Sequence, residues 1–153
     1  RLNQKLEAVN QVYEMIDDIY DSYAGSFGIT DAELWVLYAL FEHNGDYLQT
    51  DICRQWYYSL QTIHTTIKNM EKKGLITLIC QPGNKKNKQI FLTEEGKDMT
   101  NRLIVPVIEA EKLSFDAFDI QELKKMFRLS FEHVKQLEKL VGKISDNSKG
   151  EDE

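Results

Sequence analysis

The chain has 153 residues, of which 42% are hydrophobic and 29% charged, as in ordinary globular domains. No apolar run approaches the ~18 residues that a membrane-spanning helix needs, and the polar start of the chain is unlike a secretory signal. Cys53 and Cys80 are too few for a disulfide framework. We therefore expect a reducing, cytoplasmic setting, with each cysteine acting as a small buried hydrophobe; a redox-sensing thiol is the alternative.

The net charge of −6 is unevenly distributed. Residues 51–88 contain seven Lys and Arg residues and two acidic residues, a net charge of +5, so the rest of the chain carries −11. A basic middle flanked by acidic ends is typical of a protein that offers one face to a polyanion and repels it elsewhere.

Two helices are predicted before this basic segment. Apolar residues recur at three- and four-residue steps from residue 2 to residue 23, which predicts a long amphipathic helix ending at Gly25 and Gly28. Thr30 followed by Glu33 is a capping-box pattern that predicts the start of the next helix. The expected buried face of that second helix is Leu34, Leu37, Tyr38, Leu40 and Phe41.

The basic segment itself predicts two short helices joined by a tight turn, which is a helix-turn-helix. The first runs from about Leu48 to Trp56, and the second from Leu60 to Lys73, with Ser59 as its N-cap and Gly74 just beyond its end. The second helix has apolar residues at i, i+4 and i+7, which predict its buried face: Ile63, Ile67 and Met70.

A β-hairpin is predicted next. Residues 75–81 and 89–92 favour two strands, and Pro82, Gly83 and Asn84 favour a turn between them. A hairpin beside a helix-turn-helix is the wing of a winged helix. Its predicted tip is polar and basic and consists of Asn84, Lys85, Lys86, Asn87 and Lys88.

Two more amphipathic helices complete the chain. One begins after Thr93 and reaches about Leu113, with Pro106 expected to kink or divide it, and the last is capped by Asp119. The predicted fold class is mainly α with a small β-hairpin wing, an α+β winged helix-turn-helix with long terminal helices. The tail 145–153 lacks apolar residues and is expected to be disordered.

The polar side of the helix that starts at Leu60 carries residue types that read base edges in a DNA groove. Early turns reach the bases when a helix enters the groove by its N-terminus, and the N-terminus itself favours a phosphate. The alternative, an ordinary solvated helix face, is less favoured beside a basic wing. Lys72 and Lys73 are weaker candidates, since lysine near a helix C-terminus is already explained by the helix dipole. The predicted DNA-binding residues are Gln49, Thr50, Ser59, Gln61, Thr62, His64, Thr65, Lys68, Asn84, Lys85, Lys86, Asn87 and Lys88.

The order of elements and three local strings resemble the MarR family of bacterial transcription regulators. The strings are LQTDI at 48–52, the pattern ending MEKKGLI at 70–76, and LTEEGK at 92–97, and the resemblance extends from Leu2 to Val141. It implies a homodimer whose first and last helices intertwine, a recognition helix from Leu60 in the major groove and a wing in the adjacent minor groove. The corresponding division is a dimerisation helix (1–28), a winged helix-turn-helix DNA-binding lobe (29–93), C-terminal helices that complete the dimerisation region (94–144) and the acidic tail (145–153).

The wing departs from the family pattern. Asn84 and Lys86 stand where the family usually carries Asp and, two positions later, Arg. Lysine lacks the planar guanidinium fork that fits a narrow minor groove. We therefore expect the wing to contact phosphates and the sequence specificity to depend more on the helix from Leu60.

The resemblance also implies an effector in many members, bound between the dimer helices and the DNA-binding lobe. Aromatic residues there are candidates, although core packing accounts for most aromatic side chains. The four candidates are Tyr13, Tyr20, Trp35 and Tyr38. The sequence contains no spacing of metal ligands, and an organic effector, or no effector, is favoured over a metal.

The functional hypothesis is a homodimeric, ligand-responsive repressor that binds a pseudo-palindromic operator in double-stranded DNA, with no cofactor. No catalytic motif is recognisable, so an enzyme is not expected. The alternative is a winged-helix protein-interaction module without DNA-binding function.

Overall fold

Six helices and three strands follow one another in the described part of this computed structural model, which comprises residues 4–43, 47–56, 58–81 and 84–149. The predicted winged helix-turn-helix is confirmed. The elements are α1 (Gln4–Ser26), α2 (Asp31–His43), β1 (Tyr47–Leu48), α3 (Gln49–Trp56), α4 (Leu60–Lys72), β2 (Ile76–Gln81), β3 (Asn84–Leu92), α5 (Glu94–Phe115) and α6 (Ile120–Lys149).

Side-chain caps begin four of the helices; at α5 the Thr93 hydroxyl accepts the N–H of Gly96 at 3.0 Å. The Thr30 hydroxyl accepts the N–H of Glu33 at 3.2 Å, and the Glu33 carboxylate accepts the N–H of Thr30 at 3.0 Å, which is a complete capping box at α2. Ser59 accepts the N–H of Thr62 at 3.0 Å at the start of α4. Asp119 accepts the N–H of Glu122 at the start of α6. These bonds satisfy N–H groups that have no partner within the helix.

The sheet is antiparallel, with strand order β1-β3-β2. The two-residue strand β1 pairs Tyr47 with Ile90 and is too short to produce an alternating pattern, so the sequence did not predict it. Strand β3 begins at Asn84 rather than near Gln89. The predicted tip residues therefore belong to the strand backbone, with an irregular register between Cys80 and Gln81.

The core of the winged lobe lies where α2, α3, α4, the sheet and α5 meet. Its largest fully buried side chains are Leu34, Leu37, Leu40, Ile52, Ile63, Ile67, Met70, Ile76, Ile90, Leu103 and Ile104. The predicted inner face of α4 is therefore confirmed. In α2, Tyr38 is only half-buried and Phe41 is 40% exposed, because Phe41 lies in the last turn of α2, at a surface cleft beside Phe91.

The two cysteines differ from the expectation of buried thiols. Cys53 is half-buried and Cys80 is exposed. Cys80 has the same strand parity as the buried Ile76 and the half-buried Leu78. The hairpin has extended past the core at that position, so the side chain that should face inward meets solvent.

Two glycines fix the junction between α4, β2 and α5. Gly74 has φ of +74°, a conformation that favours glycine and turns the chain out of α4. A Cβ at Gly96 would lie 1.9 Å from the Leu75 carbonyl oxygen, so only glycine allows α5 to approach β2 this closely. The Thr93 hydroxyl donates to the Gly74 carbonyl at 2.6 Å across the same junction.

The chain divides into two compact units, Arg1–Val107 and Ile108–Glu153. Helix α5 contributes to both and is one helix across Pro106 rather than two. In the second unit the rings of Phe115 and Phe127 are 6.0 Å apart. Helix α6 reaches Lys149, further than the predicted start of the tail at residue 145, and residues 150–153 lie outside the described residues.

Candidate nucleic-acid interface

A polar stripe lies on α4 opposite its buried face. Its members follow one another at i, i+4, i+7 and i+11, a spacing that places them on one side of a helix. All four side chains are exposed: Gln61, Thr65, Lys68 and Lys72. We call this row the α4 stripe. Three of its members were predicted as DNA-binding residues, and Lys72 joins them by position.

A groove of about 830 Å³ separates α4 from the start of α3 and the β2–β3 hairpin; we call it the wing-side groove. Six of the predicted DNA-binding residues line it: Gln49, Thr50, Gln61, His64, Lys68 and Lys88. Its apolar lining includes Leu60 and Leu78, and Glu71 lies among the lining residues as an acidic neighbour of Lys68. Residues from three separate elements are thus brought together on one side of the lobe.

A second groove, of about 880 Å³, separates α4 from the N-terminal turn of α2; we call it the α2-side groove. Four residues of the predicted set line it, together with Asn69, Lys72 and Lys73; the four are Ser59, Gln61, Thr62 and Thr65. The α4 stripe is therefore the ridge between two grooves. A ridge of this shape, with polar and cationic flanks, is suited to insertion into the major groove of DNA.

The N-terminus of α4 is organised by Ser59. Its side chain accepts the Thr62 N–H at 3.0 Å and also lies 2.7 Å from the Thr62 hydroxyl. Both residues are exposed, so the first turn of α4 presents hydroxyl groups at the positive end of the helix dipole. Thr66 is buried instead, and its hydroxyl donates to the Thr62 carbonyl at 2.9 Å.

Lys73, a weaker DNA candidate, has a protein partner. Its Nζ lies 2.7 Å and 3.0 Å from the two carboxylate oxygens of Glu33. Glu33 is 3% exposed, so the ammonium group neutralises a buried charge. Lys72, one residue earlier, is exposed and lines the α2-side groove.

Two residues of this surface were missed in the sequence. Leu60 is 59% exposed at the first position of α4, and Asn69 is exposed in the α2-side groove. The sequence pattern marks Leu60 only as the first residue of the helix. Its signal is the spacing from Ile63 and Ile67, which places Leu60 at the edge of the buried face on the wing side.

The wing is described only in part. Lys88 is exposed and lies directly opposite Cys80 in the hairpin. The predictions for Asn84, Lys85, Lys86 and Asn87 concern side chains outside the described part of the structure, so their roles stay predictions.

Three of the four effector candidates lie together. The ring centroids of Tyr20 and Trp35 are 4.7 Å apart, and those of Trp35 and Tyr38 are 5.6 Å apart. Tyr20 and Trp35 line a cavity of about 640 Å³. Tyr13 is 55% exposed and is not among its lining residues. The other lining residues are Asp17, Asp18, Asp21, Asp31 and Tyr58.

Tyr58 connects this cavity to α4. Tyr58 lies one residue before the N-cap Ser59. Its hydroxyl donates to an Asp31 carboxylate oxygen at 2.6 Å. Burial, and then the hydrogen bond and negative charge of Asp31, hold the pKa of the Tyr58 phenol well above its ordinary value. The phenol therefore stays protonated, and keeps its hydrogen bond to Asp31, to a higher pH than an ordinary tyrosine would.

Within the described residues, no group of three or more His, Cys, Asp and Glu side chains is arranged to hold a metal ion. None of the described helices is long and apolar enough to cross a membrane.

Residues 27–86 match the model of the MarR family. The fold is that of several solved MarR-type proteins. A MarR family regulator from Neisseria meningitidis, NMB1585, is 22% identical over 93% of this chain and 99% of its own, with a TM-score of 0.77. No curated protein sequence matches the chain.

Two similar structures contain DNA. A putative MarR family transcriptional regulator from Listeria monocytogenes, complexed with a 26mer DNA, is 23% identical over 87% of both chains, with a TM-score of 0.69. MepR of S. aureus in its DNA complex is 20% identical over 86% of this chain and 96% of its own, with a TM-score of 0.71. The matched segment and the shared fold confirm the resemblance to the MarR family, whose members are transcriptional regulators rather than enzymes.

Proposed function

We propose that this chain, a MarR-type transcriptional regulator by its matched segment and its fold, represses transcription by binding a pseudo-palindromic operator as a homodimer. The observation that carries the proposal is the α4 stripe between its two grooves. Nine of the predicted DNA-binding residues line those grooves, although they come from α3, α4, β3 and the turn before α4. The two DNA complexes of similar fold support DNA binding by this chain.

The residues of this surface have different roles in the proposal. Gln61 lies on the first turn of α4 and can pair with an adenine through both amide atoms, and Thr65 can contact a thymine methyl group. Lys68, Lys72 and Lys88 supply phosphate contacts. These contacts carry affinity but no sequence information, because every nucleotide has the same phosphate.

The homodimer is proposed from the apolar surfaces of α1 and α6. Exposed apolar surface on this scale marks a protein interface, because single chains in solution rarely leave it uncovered. A symmetric pair would place two α4 helices about one DNA turn apart, ~34 Å. The exposed apolar residues include Val12, Ile16 and Ile19 on α1 and Phe127, Phe131, Val134, Leu137, Leu140 and Val141 on α6.

Sedimentation tests the dimer. We expect twice the 17.9 kDa chain mass at micromolar concentration, and a monomer for Leu137→Glu. A stable wild-type monomer would contradict the architecture.

Ligand response is proposed through the aromatic cavity. Because Tyr58 both lines the cavity and holds Asp31 beside the start of α4, an organic ligand that moves Tyr58 would alter the placement of α4. Such a ligand shifts the equilibrium only if it binds the two shapes with different affinity. The expected result is a ligand that weakens operator binding by wild type and not by Trp35→Ala.

The central experiment is titration of the protein with duplex DNA at ~50 and ~200 mM salt. DNA binding requires affinity that falls steeply with salt, because phosphate contacts release counterions. Binding that is absent or independent of salt would favour the protein-interaction module instead.

Site selection from a random duplex pool tests specificity. Gln61→Ala should change the selected sequence. Gln121→Ala, an exposed glutamine in the first turn of α6, is the matched control and should leave it unchanged.

A further inference from the structure

Glu33 is a buried carboxylate at the joint between α2 and the end of α4. Its side chain is 4% exposed and its two oxygens accept hydrogen bonds from Lys73 Nζ at 2.7 Å and 3.0 Å. One of these oxygens also accepts the Thr30 N–H at 3.0 Å. The carboxylate is therefore fixed to the first turn of α2 on one side and to Lys73 on the other.

Lys73 is the C-cap of α4 and its backbone is equally constrained. Its N–H bonds to the Asn69 carbonyl at 2.9 Å, and the Gly74 N–H bonds to the Glu71 carbonyl at 3.0 Å. The Leu75 N–H then returns to the Met70 carbonyl at 3.0 Å. Because this end of the helix is closed by its own hydrogen bonds, moving the Lys73 ammonium group means moving α4 or bending a long side chain.

The burial of the two partners is unequal. Lys73 is 46% exposed along its side chain, whereas Glu33 is almost fully enclosed. A buried carboxylate without a partner is strongly unfavourable, so the position of Glu33 dictates where the lysine must lie. The ion pair therefore affects the position of α4 more than it affects the charge of the DNA-facing surface.

We infer that Glu33 and Lys73 are positioning residues that set the tilt of the recognition helix α4 on α2, and thereby the fit of the α4 stripe to the operator. The inference rests on the proposed DNA-binding function. In this role neither residue needs to contact a base or a phosphate, although both line the α2-side groove. Loss of either one leaves α4 with its contacts to DNA intact but held in a broader range of tilts.

Two other roles of these residues, a simple charge effect and a phosphate contact, predict different changes in DNA affinity and in its salt dependence. If charge alone mattered, Glu33→Gln would strengthen binding to polyanionic DNA by removing a negative charge. If Lys73 bound a phosphate, Lys73→Met would lower the log–log salt slope by about one. A positioning pair predicts instead that both changes weaken operator binding, with the salt slope unchanged.

The test measures the affinity of full-length protein for its selected operator at four salt concentrations, with urea unfolding in parallel. The variants are Glu33→Gln, Lys73→Met, both together, and Lys73→Arg, with the exposed Lys72→Met as matched control. We expect each of the first two to lose about tenfold in operator affinity, which is ~1.4 kcal/mol, and to retain affinity for random duplex. The double variant should lose no more than the worse single variant, because the pair is already broken. Lys73→Arg should stay within about threefold of wild type, while Lys72→Met should lower the salt slope by about one.

Three outcomes would overturn the inference. They are tighter operator binding by Glu33→Gln, a reduced salt slope for Lys73→Met, or a loss of stability without a loss of operator preference in the folded protein. Glu33→Gln keeps an amide and Lys73→Met keeps an alkyl chain in place of the original side chain. The double variant removes both charges and so leaves no buried charge without a partner, which provides a folded protein for the measurement. Wild-type protein that fails to bind any duplex in a salt-dependent way would refute the proposed function itself, which is a different result from any of these.

Discussion

The Tyr58 hydroxyl donates a 2.6 Å hydrogen bond to Asp31, two residues from the Glu33 that binds Lys73. Tyr58 lies one residue before the N-cap of α4, and Lys73 is the C-cap of the same helix. Both ends of the proposed recognition helix are therefore held by carboxylates in the first turn of α2. Small displacements of α2 would be transmitted to the whole length of α4.

Removal of the Tyr58 hydroxyl tests the N-terminal tether. In Tyr58→Phe the half-buried Asp31 loses a donor, and we expect the free energy of unfolding to fall by about 1 kcal/mol in urea at pH 7. Tyr13→Phe, at a more exposed tyrosine, is the control and should change stability by less than about 0.5 kcal/mol. An equal loss of stability for the two substitutions would show that the Tyr58–Asp31 hydrogen bond does not stabilise the fold.

Alkaline pH should weaken the fold through the same phenol. Burial, followed by the Asp31 interaction, raises the pKa of folded Tyr58 above the ordinary value of 10.0. The unfolded chain therefore releases its proton first, so stability is fully present below about pH 10 and is lost as the pH rises through the folded pKa. Burial raises the pKa of Tyr23 and Tyr47 too, which acts in the same direction.

Urea midpoints measured from pH 8 to pH 11 follow this loss. Tyr58→Phe should decline less steeply above pH 10 than wild type. A decline as steep as that of wild type would show that Tyr58 is not its source.

Leu60 should read a thymine methyl group, because it is an exposed apolar side chain at the start of the helix that enters the groove. Replacing operator thymines one at a time by deoxyuridine removes only the methyl. At one thymine we expect about fourfold weaker binding, close to the value of one buried methyl group. Leu60→Ala should bind more weakly and become insensitive to that replacement; continued sensitivity would assign the contact to another side chain.

Lys68 should act as a phosphate contact. Neutralisation by Lys68→Met should lower the slope of log affinity against log salt by about one, for operator and random duplex alike. Lys97→Met is the control, because Lys97 lies on α5 and pairs with Glu94 at 2.6 Å. A similar change in slope for both variants would mean that the effect reflects overall charge rather than a contact.

The two thiols should react at different rates. Cys80 is exposed, whereas burial raises the pKa of the half-buried Cys53 thiol and lowers its thiolate fraction at pH 8. Iodoacetamide labelling followed by mass spectrometry should therefore modify Cys80 first. The difference should disappear in denaturant, and preferential labelling of Cys53 in the folded protein would contradict it.

The local features of this protein were predictable because they depend on residues three or four positions apart. The capping box of Thr30 and Glu33, the Ser59 cap and the inner face of α4 are all of this kind. The strings at 70–76 and 92–97 also have a local physical basis, since Gly74 turns the chain and Gly96 allows close packing.

Predictions that depended on the limits of the core were less accurate. Cys80 and Phe41 follow the pattern of buried residues but are exposed, because neighbouring elements end before they cover them. Strand β1 was missed because two residues carry no period and are held by pairing with β3.

The sequence by itself determined the helix-turn-helix, its wing and the polar stripe of α4, because backbone capping and side-chain periodicity are encoded over short distances. Only the tertiary structure decided which of two neighbouring lysines has a protein partner. Lys72 and Lys73 are identical neighbours in sequence, but Lys73 pairs with a buried carboxylate 40 residues away, whereas Lys72 lies exposed on the α4 stripe. A buried charge requires its partner wherever the fold places it, and that long-range requirement leaves no local trace in the chain.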